Sequence, residues 1–239
     1  MKTSNKILLA AVLIVVAYTV GYDFALKAEY DKGAYKNKFY RMTEFKVSNF
    51  DSISHNTTNI AGVKIEQGDK YGVWVDDNMK DQVKIEQQGT TLNINCDTTK
   101  DLRRRPYYAS IVITCPKLKG LSTHQLKTAH DEDNANGDGR IEIIGLNQTV
   151  PLSITADKGV DILLSKNKLG MLNVNLGTAK DRAELFIYNS NSIQVANLQL
   201  KGRSQLNLDN PTIVKGNYHF GDSTMVTLSG QALKLVPQQ

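Results

Sequence analysis

The sequence predicts an all-β chain: a β-helix-like solenoid of short strands, with about 20 residues per turn in its C-terminal half, preceded by an N-terminal hydrophobic helix. Three observations carry this expectation. Apolar residues alternate at period two over most of the chain, the pattern of strands with one buried face. In the second half, two interleaved series of such strands each recur at a near-constant interval. At the N-terminus, an uncharged apolar run follows two lysines.

That run is "ILLAAVLIVVAYTVG", from Ile7 to Gly21, behind "MKTSNK" with Lys2 and Lys6; Asp23 ends it. A basic segment before an apolar one has the form of an export signal. The run is as long as a long signal core and short of the roughly 20 residues of a full membrane span. Thr19-Val20-Gly21 is a small-x-small cleavage site, and no cysteine lies near it to carry a lipid. An uncleaved anchor and a cleaved signal peptide both fit residues 1–22. Either places the remainder in the cell envelope, membrane-anchored and facing the periplasm or exterior, or secreted. Residues 23–44, charged and tyrosine-rich, read as a juxtamembrane spacer, and the β domain is expected over 45–239.

The net charge is +5, and only +3 without Lys2 and Lys6. Arg103 to Arg105, followed by "PYY", form a basic run of the kind that can bind nucleic acid or acidic glycans. An exported chain does not meet nucleic acid, so a solvated loop is the better reading. The partners expected are the membrane, through the N-terminal segment, and a glycan or protein.

In the first half the inward pairs are Val63/Ile65, Val73/Val75, Val83/Ile85, Leu92/Ile94 and Ile111/Ile113. Turn segments "EQGDKYG", "DDNMKD" and "QQGTT" separate the first four. Cys96 and Cys115 end two of these strands in phase with the apolar residues, so both thiols face the core. Export permits a disulfide between them, and two inert core thiols satisfy the pattern equally.

In the second half, Ile141/Ile143, Ile162/Leu164, Leu185/Ile187, Leu206/Leu208 and Val226/Leu228 recur at 21, 23, 21 and 20 residues. The out-of-phase series begins at Leu152, Leu172, Leu198 and Tyr218, at spacings of 20, 26 and 20. Two strands per period imply stacked turns and parallel sheets, because one turn cannot bury its apolar edge alone. "DKG", "NSNS", "DNP" and "GDS" fall at the corners, where such residues tolerate left-handed dihedrals.

"FDSI" (50–53), "VKIEQGDKYGVWVDDN" (63–78), "VKIEQQGTTLNI" (83–94) and "IVITCPKLKGL" (111–121) follow one another in order. In these segments the chain resembles the auto-transporter adhesin head family, the GIN domain, frequent in Bacteroidetes envelopes. The resemblance extends over roughly 45–239. It implies an exported, β-helix-like domain with an adhesive role and carries over no catalytic residues. Many relatives are richer in glycine in the second half than this chain.

Chemistry is sparse. In "AHDEDNANGDGRIEIIG" (129–145), Asn134, Asn136, Asp138 and Glu142 fall at positions 1, 3, 5 and 9 of an EF-hand-like loop, with Gly139 at 6. Position 12 is Gly145, so the bidentate ligand is missing. Calcium is therefore the candidate cofactor, at an irregular site, against an acidic loop joining the two halves; His124 and His130 beside that loop offer at most a weak surface metal site, and no other cofactor is implied. His55, His124, His130 and His219 lack zinc spacing. Lys180, Asp181, Arg182 and Glu184 cluster in the longest turn and read as a solvated loop rather than an acid–base centre. Trp74 is out of phase with Val73 and Val75, so it points outward, where it can stack on a sugar or a partner or be covered by the N-terminal segment. No nucleophile elbow, P-loop or dinucleotide fingerprint occurs. The expectation is an exported, non-catalytic binding or adhesion-like domain. The alternatives are a periplasmic structural or sensing protein tethered to the inner membrane and a polysaccharide-active enzyme.

Overall fold

The computed structural model describes residues 2–97, 99, 105–126, 139–157, 159–178 and 182–235. It separates into two units, Met1–Arg41 and Met42–Gln239. In the first, helix α1 runs unbroken over Thr3–Asp31, through the end of the apolar run and into the expected spacer. It is long and apolar enough to cross a membrane, and none of its residues is buried within the protein. Gly33, at φ +67°, ends it and leads into a short 3-10 turn at Ala34–Lys36.

The second unit is mostly β. Its first strands are β1 (Met42–Phe45), β2 (Ser52–His55), β3 (Ala61–Gln67), β4 (Gly72–Asp76), β5 (Val83–Gln88) and β6 (Thr91–Cys96). Next come β7 (Arg105–Cys115), β8 (Gly120–Thr123), β9 (Gly139–Ile144), β10 (Asn147–Gln148), β11 (Leu152–Ala156) and β12 (Val160–Ser165). The last are β13 (Lys168–Leu176), β14 (Glu184–Ile187), β15 (Ser192–Leu200), β16 (Gln205–Asp209), β17 (Thr212–Phe220) and β18 (Met225–Ser229).

They form two sheets. Sheet one runs β1-β4-β7-β3-β9-β12-β14-β16-β18, and sheet two runs β17-β15-β13-β11-β8-β2-β6-β5, with β10 beside β13. From β11 to β18 the chain alternates between the sheets, and from β13 on each strand pairs in parallel with the one two elements earlier. Ile141, Ile162, Leu185, Leu206 and Val226 pair in that order, at the spacings expected from the sequence.

Sheet two departs from expectation at one step. Leu172 pairs with Ala196, not Leu198, so the step is 24 residues rather than 26. Alanine holds the buried position and gives a weak hydrophobic signal, while the stronger Leu198 lies two residues on and pairs with Val174. In the first half, β7 lies between β3 and β4, so the "EQGDKYG" turn does not close a hairpin. β5–β6 is a true antiparallel hairpin, with Gly89 at φ +60° in its turn. Antiparallel pairs (β1–β4, β4–β7, β5–β6) thus finish the N-terminal end of each sheet.

The inward faces of both sheets meet in one apolar core. Ile65, Ile113, Ile143, Leu164, Ile187 and Leu208 form a continuous buried row in sheet one; Ile53, Leu121, Ile154, Val174 and Leu198 form its counterpart in sheet two. Each such side chain stabilises the fold by roughly 1.5–3 kcal/mol. Cys96 and Cys115 are free, buried thiols in this core. Burial pushes both thiols up, Cys115 to about 12, which leaves them protonated and unreactive.

One corner shows how turns stack. Gly145, Lys166, Asn210 and Gly230 each follow a sheet-one strand with positive φ, between 50° and 76°. Beside them Asn167 is fully buried and bonded on both sides. Its Nδ2 donates to Ile143 O (3.0 Å) and Asn191 Oδ1 (2.9 Å), and its Oδ1 accepts from Leu146 N (2.9 Å). Asn191 Nδ2 donates to Leu164 O (2.6 Å) and Tyr188 O (2.7 Å). Buried amides satisfied in this way replace the corner hydrogen bonds that regular pairing cannot supply.

Candidate functional site

Because the strands are in register, outward residues form rows across each sheet. The middle row of sheet one reads Glu44, Trp74, Val112, Lys64, Glu142, Leu163, Phe186, Asn207 and Thr227. It mixes charge with apolar surface. Val112 and Leu163 are only 6% and 7% exposed although they lie on the outer side. Charges pair locally: Lys64 with Glu66 at 2.7 Å, Arg140 with Glu142 at 2.8 Å, and Arg182 with Glu184.

Trp74 is on this face, half-buried between Glu44 and Val112. Its six-membered ring lies over Gly72, where a Cβ would sit 2.1 Å from Cη2. Glycine at 72 is what lets the ring reach the sheet.

The outer face of sheet two is unlike this. One row runs Thr91, Ser52, Gly120, Ser153, Asn173, Asn197 and Asn217. The next runs Asn93, Ser54, Ser122, Thr155, Asn175, Gln199 and His219. From β6 to β17, neither row contains Asp, Glu, Lys or Arg. The amides in the first row are linked: Asn217 Nδ2 donates to Asn197 Oδ1 (2.7 Å), Asn197 Nδ2 to Asn173 Oδ1 (2.8 Å), and Asn173 Nδ2 to Ser153 Oγ (3.5 Å). Thr155, Asn175, Gln199 and His219 stand exposed beside this ladder. Together the rows floor a shallow groove of about 660 Å³. A second groove of about 470 Å³ continues from it, sharing Gln199 and His219 and reaching Phe220.

Charged groups flank these rows. Asp51 bonds Lys119 at 2.6 Å, and that hydrogen bond holds its carboxyl below the usual range. Asp97 is likewise lowered, first by the Thr99 hydroxyl. His124 Nδ1 meets Asp157 Oδ2 at 2.5 Å at the end of β8. Inside, His55 is fully buried, its Nε2 donating to Ala61 O at 2.9 Å; burial pulls its imidazole down to about 4.

Of the calcium candidates, Asn134, Asn136 and Asp138 lie outside the described residues, and Glu142 pairs with Arg140. His130, Lys180 and Asp181 also lie outside them. Among the described residues, no group of three or more His, Cys, Asp and Glu is placed to hold a metal. Sequence reasoning missed the asparagine ladder. Its signal was Asn at one outward phase in "LNVNL", "VANLQL" and "KGNYHF". Aligning Leu172 with Leu198 sets Asn173 against Gln199 and hides the row.

No family model and no curated protein matches the chain. Among solved structures it is similar to a candidate adhesin from Bacteroides fragilis NCTC 9343, with 19% identity, a TM-score of 0.44, and 78% of this chain and 96% of that chain covered. It is also similar to a candidate lipid-binding protein from Parabacteroides distasonis ATCC 8503, with 19% identity, a TM-score of 0.28, and coverage of 79% and 96%. A candidate adhesin from the same organism gives 11% identity, a TM-score of 0.31, and coverage of 78% and 96%. Likenesses this loose carry no inference about fold or ligand.

Proposed function

We propose that this chain is an exported cell-envelope protein whose β unit is a non-catalytic, adhesion-like binding domain built as a β-helix-like solenoid. The observation that carries the reading is the outer face of sheet two: ordered rows of uncharged hydrogen-bonding side chains on a rigid parallel ladder. Such a surface recognises by repetition and needs no reactive centre. The apolar, unburied α1 supports membrane attachment, and the GIN-domain resemblance of residues 50–121 supports an adhesive role.

A second reading rests on one feature of α1. The helix continues without a break through Thr19-Val20-Gly21 to Asp31, which favours a retained anchor. A retained inner-membrane anchor would hold the β unit in the periplasm, in a structural or sensing role. Cell fractionation, mass spectrometry of the mature N-terminus and protease access on intact cells test both. Recovery in the envelope with external cleavage is expected for a surface adhesin. A protected chain with Met1 intact would favour the periplasmic reading, and recovery in the cytoplasm would contradict export altogether.

A further inference from the structure

We infer that the outer face of sheet two is a binding site for a neutral polysaccharide, lying along the rows that cross β11, β13, β15 and β17; this rests on the binding-domain reading above.

The chemistry of the rows selects the ligand class. Every amide offers both a donor and an acceptor, and every hydroxyl does the same. That matches the hydroxyls and acetamido groups of sugars, which also donate and accept. The rows have no fixed charge, and Lys201 and Asp222 in the adjoining groove are of opposite sign, so no net charge offsets the desolvation of a uronate, sulfate or phosphate. Met171 and Val195, in the row beside the ladder, are partly sunk rather than standing out as the apolar anchors from which protein partners draw most of their affinity.

Geometry supports the same occupant. Neighbouring strands repeat every 4.8 Å or so, close to the advance of one pyranose unit along an extended glycan. A chain crossing the strands would therefore meet a hydrogen-bonding side chain at each step, an amide in both rows at β13 and β15. The ladder from Asn217 to Ser153 uses one donor of each Asn to hold the next. This fixes the rotamers before binding and lowers the entropic cost of engaging them. Asn175, Gln199 and His219 stand above the ladder, exposed.

The test uses the full chain in detergent micelles and fluorescence polarisation with four labelled neutral oligosaccharides: β-1,4-glucan, β-1,3-glucan, β-1,4-linked N-acetylglucosamine and α-mannan hexamers. Polygalacturonate serves as the charged control. At least one neutral hexamer should bind. The triple variant Asn175→Ala/Gln199→Ala/His219→Ala, all exposed positions outside the core, should weaken binding at least about tenfold. Circular dichroism melting checks that this variant folds. Binding that survives the variant would overturn the site while leaving the binding-domain reading in force. Tighter binding of polygalacturonate than of any neutral hexamer would overturn the ligand class. No binding by any hexamer at millimolar concentration would overturn the inference, and fractionation would decide the envelope reading independently.

Discussion

Across sheet one the outward row places Trp74, Val112, Leu163 and Phe186 among Lys64 and Glu142, whereas the equivalent rows of sheet two place only Ser, Thr, Asn, Gln, Gly and His from β6 to β17. Both sheets rest on the same core and share the same strand geometry, so the difference lies in side chains alone. On sheet one, apolar side chains are partly sunk and charges are neutralised by neighbours on the same strand. On sheet two, polar groups are aligned and left facing water. The first arrangement stabilises a surface; the second keeps hydrogen-bonding capacity available. A parallel ladder makes this possible, because one residue type at one phase of each turn becomes a row.

The largest expected effect concerns the corner that joins the two faces. Asn167→Ala leaves Leu146 N–H and Ile143 O buried without their partner. The expected loss is about 3–4 kcal/mol, read as a melting-temperature fall of roughly 10 °C. A change within error would show that the corner amides do not hold the sheets in register.

Acid tests sheet two from within. His55 lies in β2 of sheet two, and its folded imidazole sits at about 4 against an ordinary 6.5. The unfolded chain takes up the proton first, so its contribution is complete above about pH 6.5 and is lost as pH falls toward 4. That is about 3 kcal/mol over this window, seen in denaturant melts at stepped pH. In His55→Gln the slope between those values should flatten. A wild-type curve already flat there would contradict the buried, neutral histidine.

A matched pair of substitutions compares the outer surfaces directly. Leu163→Asp places a carboxylate at a nearly buried site on sheet one, and about 2 kcal/mol of stability should be lost. Thr155→Asp, exposed on sheet two, should change stability by less than about 0.5 kcal/mol. Equal losses would erase the distinction. A similarly small effect is expected from Arg140→Ala: its surface pair with Glu142 contributes below about 1 kcal/mol, measurable by urea titration.

Much of this contrast was hidden in the sequence, although the strands were not. Period-two alternation marks inward residues reliably, and Ile141, Ile162, Leu185 and Leu206 are large enough to mark every turn of sheet one. Sheet two fails at Ala196, where a small residue occupies the buried position and Leu198 draws the register two residues too far. The asparagine ladder exists only in the correct register, so the error concealed the candidate site. The insertion of β7 between β3 and β4 depends on long-range pairing and leaves no local mark. Trp74 is outward by phase, but its seat over Gly72 depends on a glycine two residues away along the same strand.

The contrast between the faces is tested most directly by titrating one labelled neutral hexamer that binds the wild-type chain into two variants side by side. One is Asn175→Ala/Gln199→Ala/His219→Ala on sheet two, and the other is Lys64→Ala/Phe186→Ala/Asn207→Ala on sheet one. The account predicts a loss of about tenfold or more in the first and less than about twofold in the second. The reverse pattern, with binding lost only from the sheet-one variant, would contradict it.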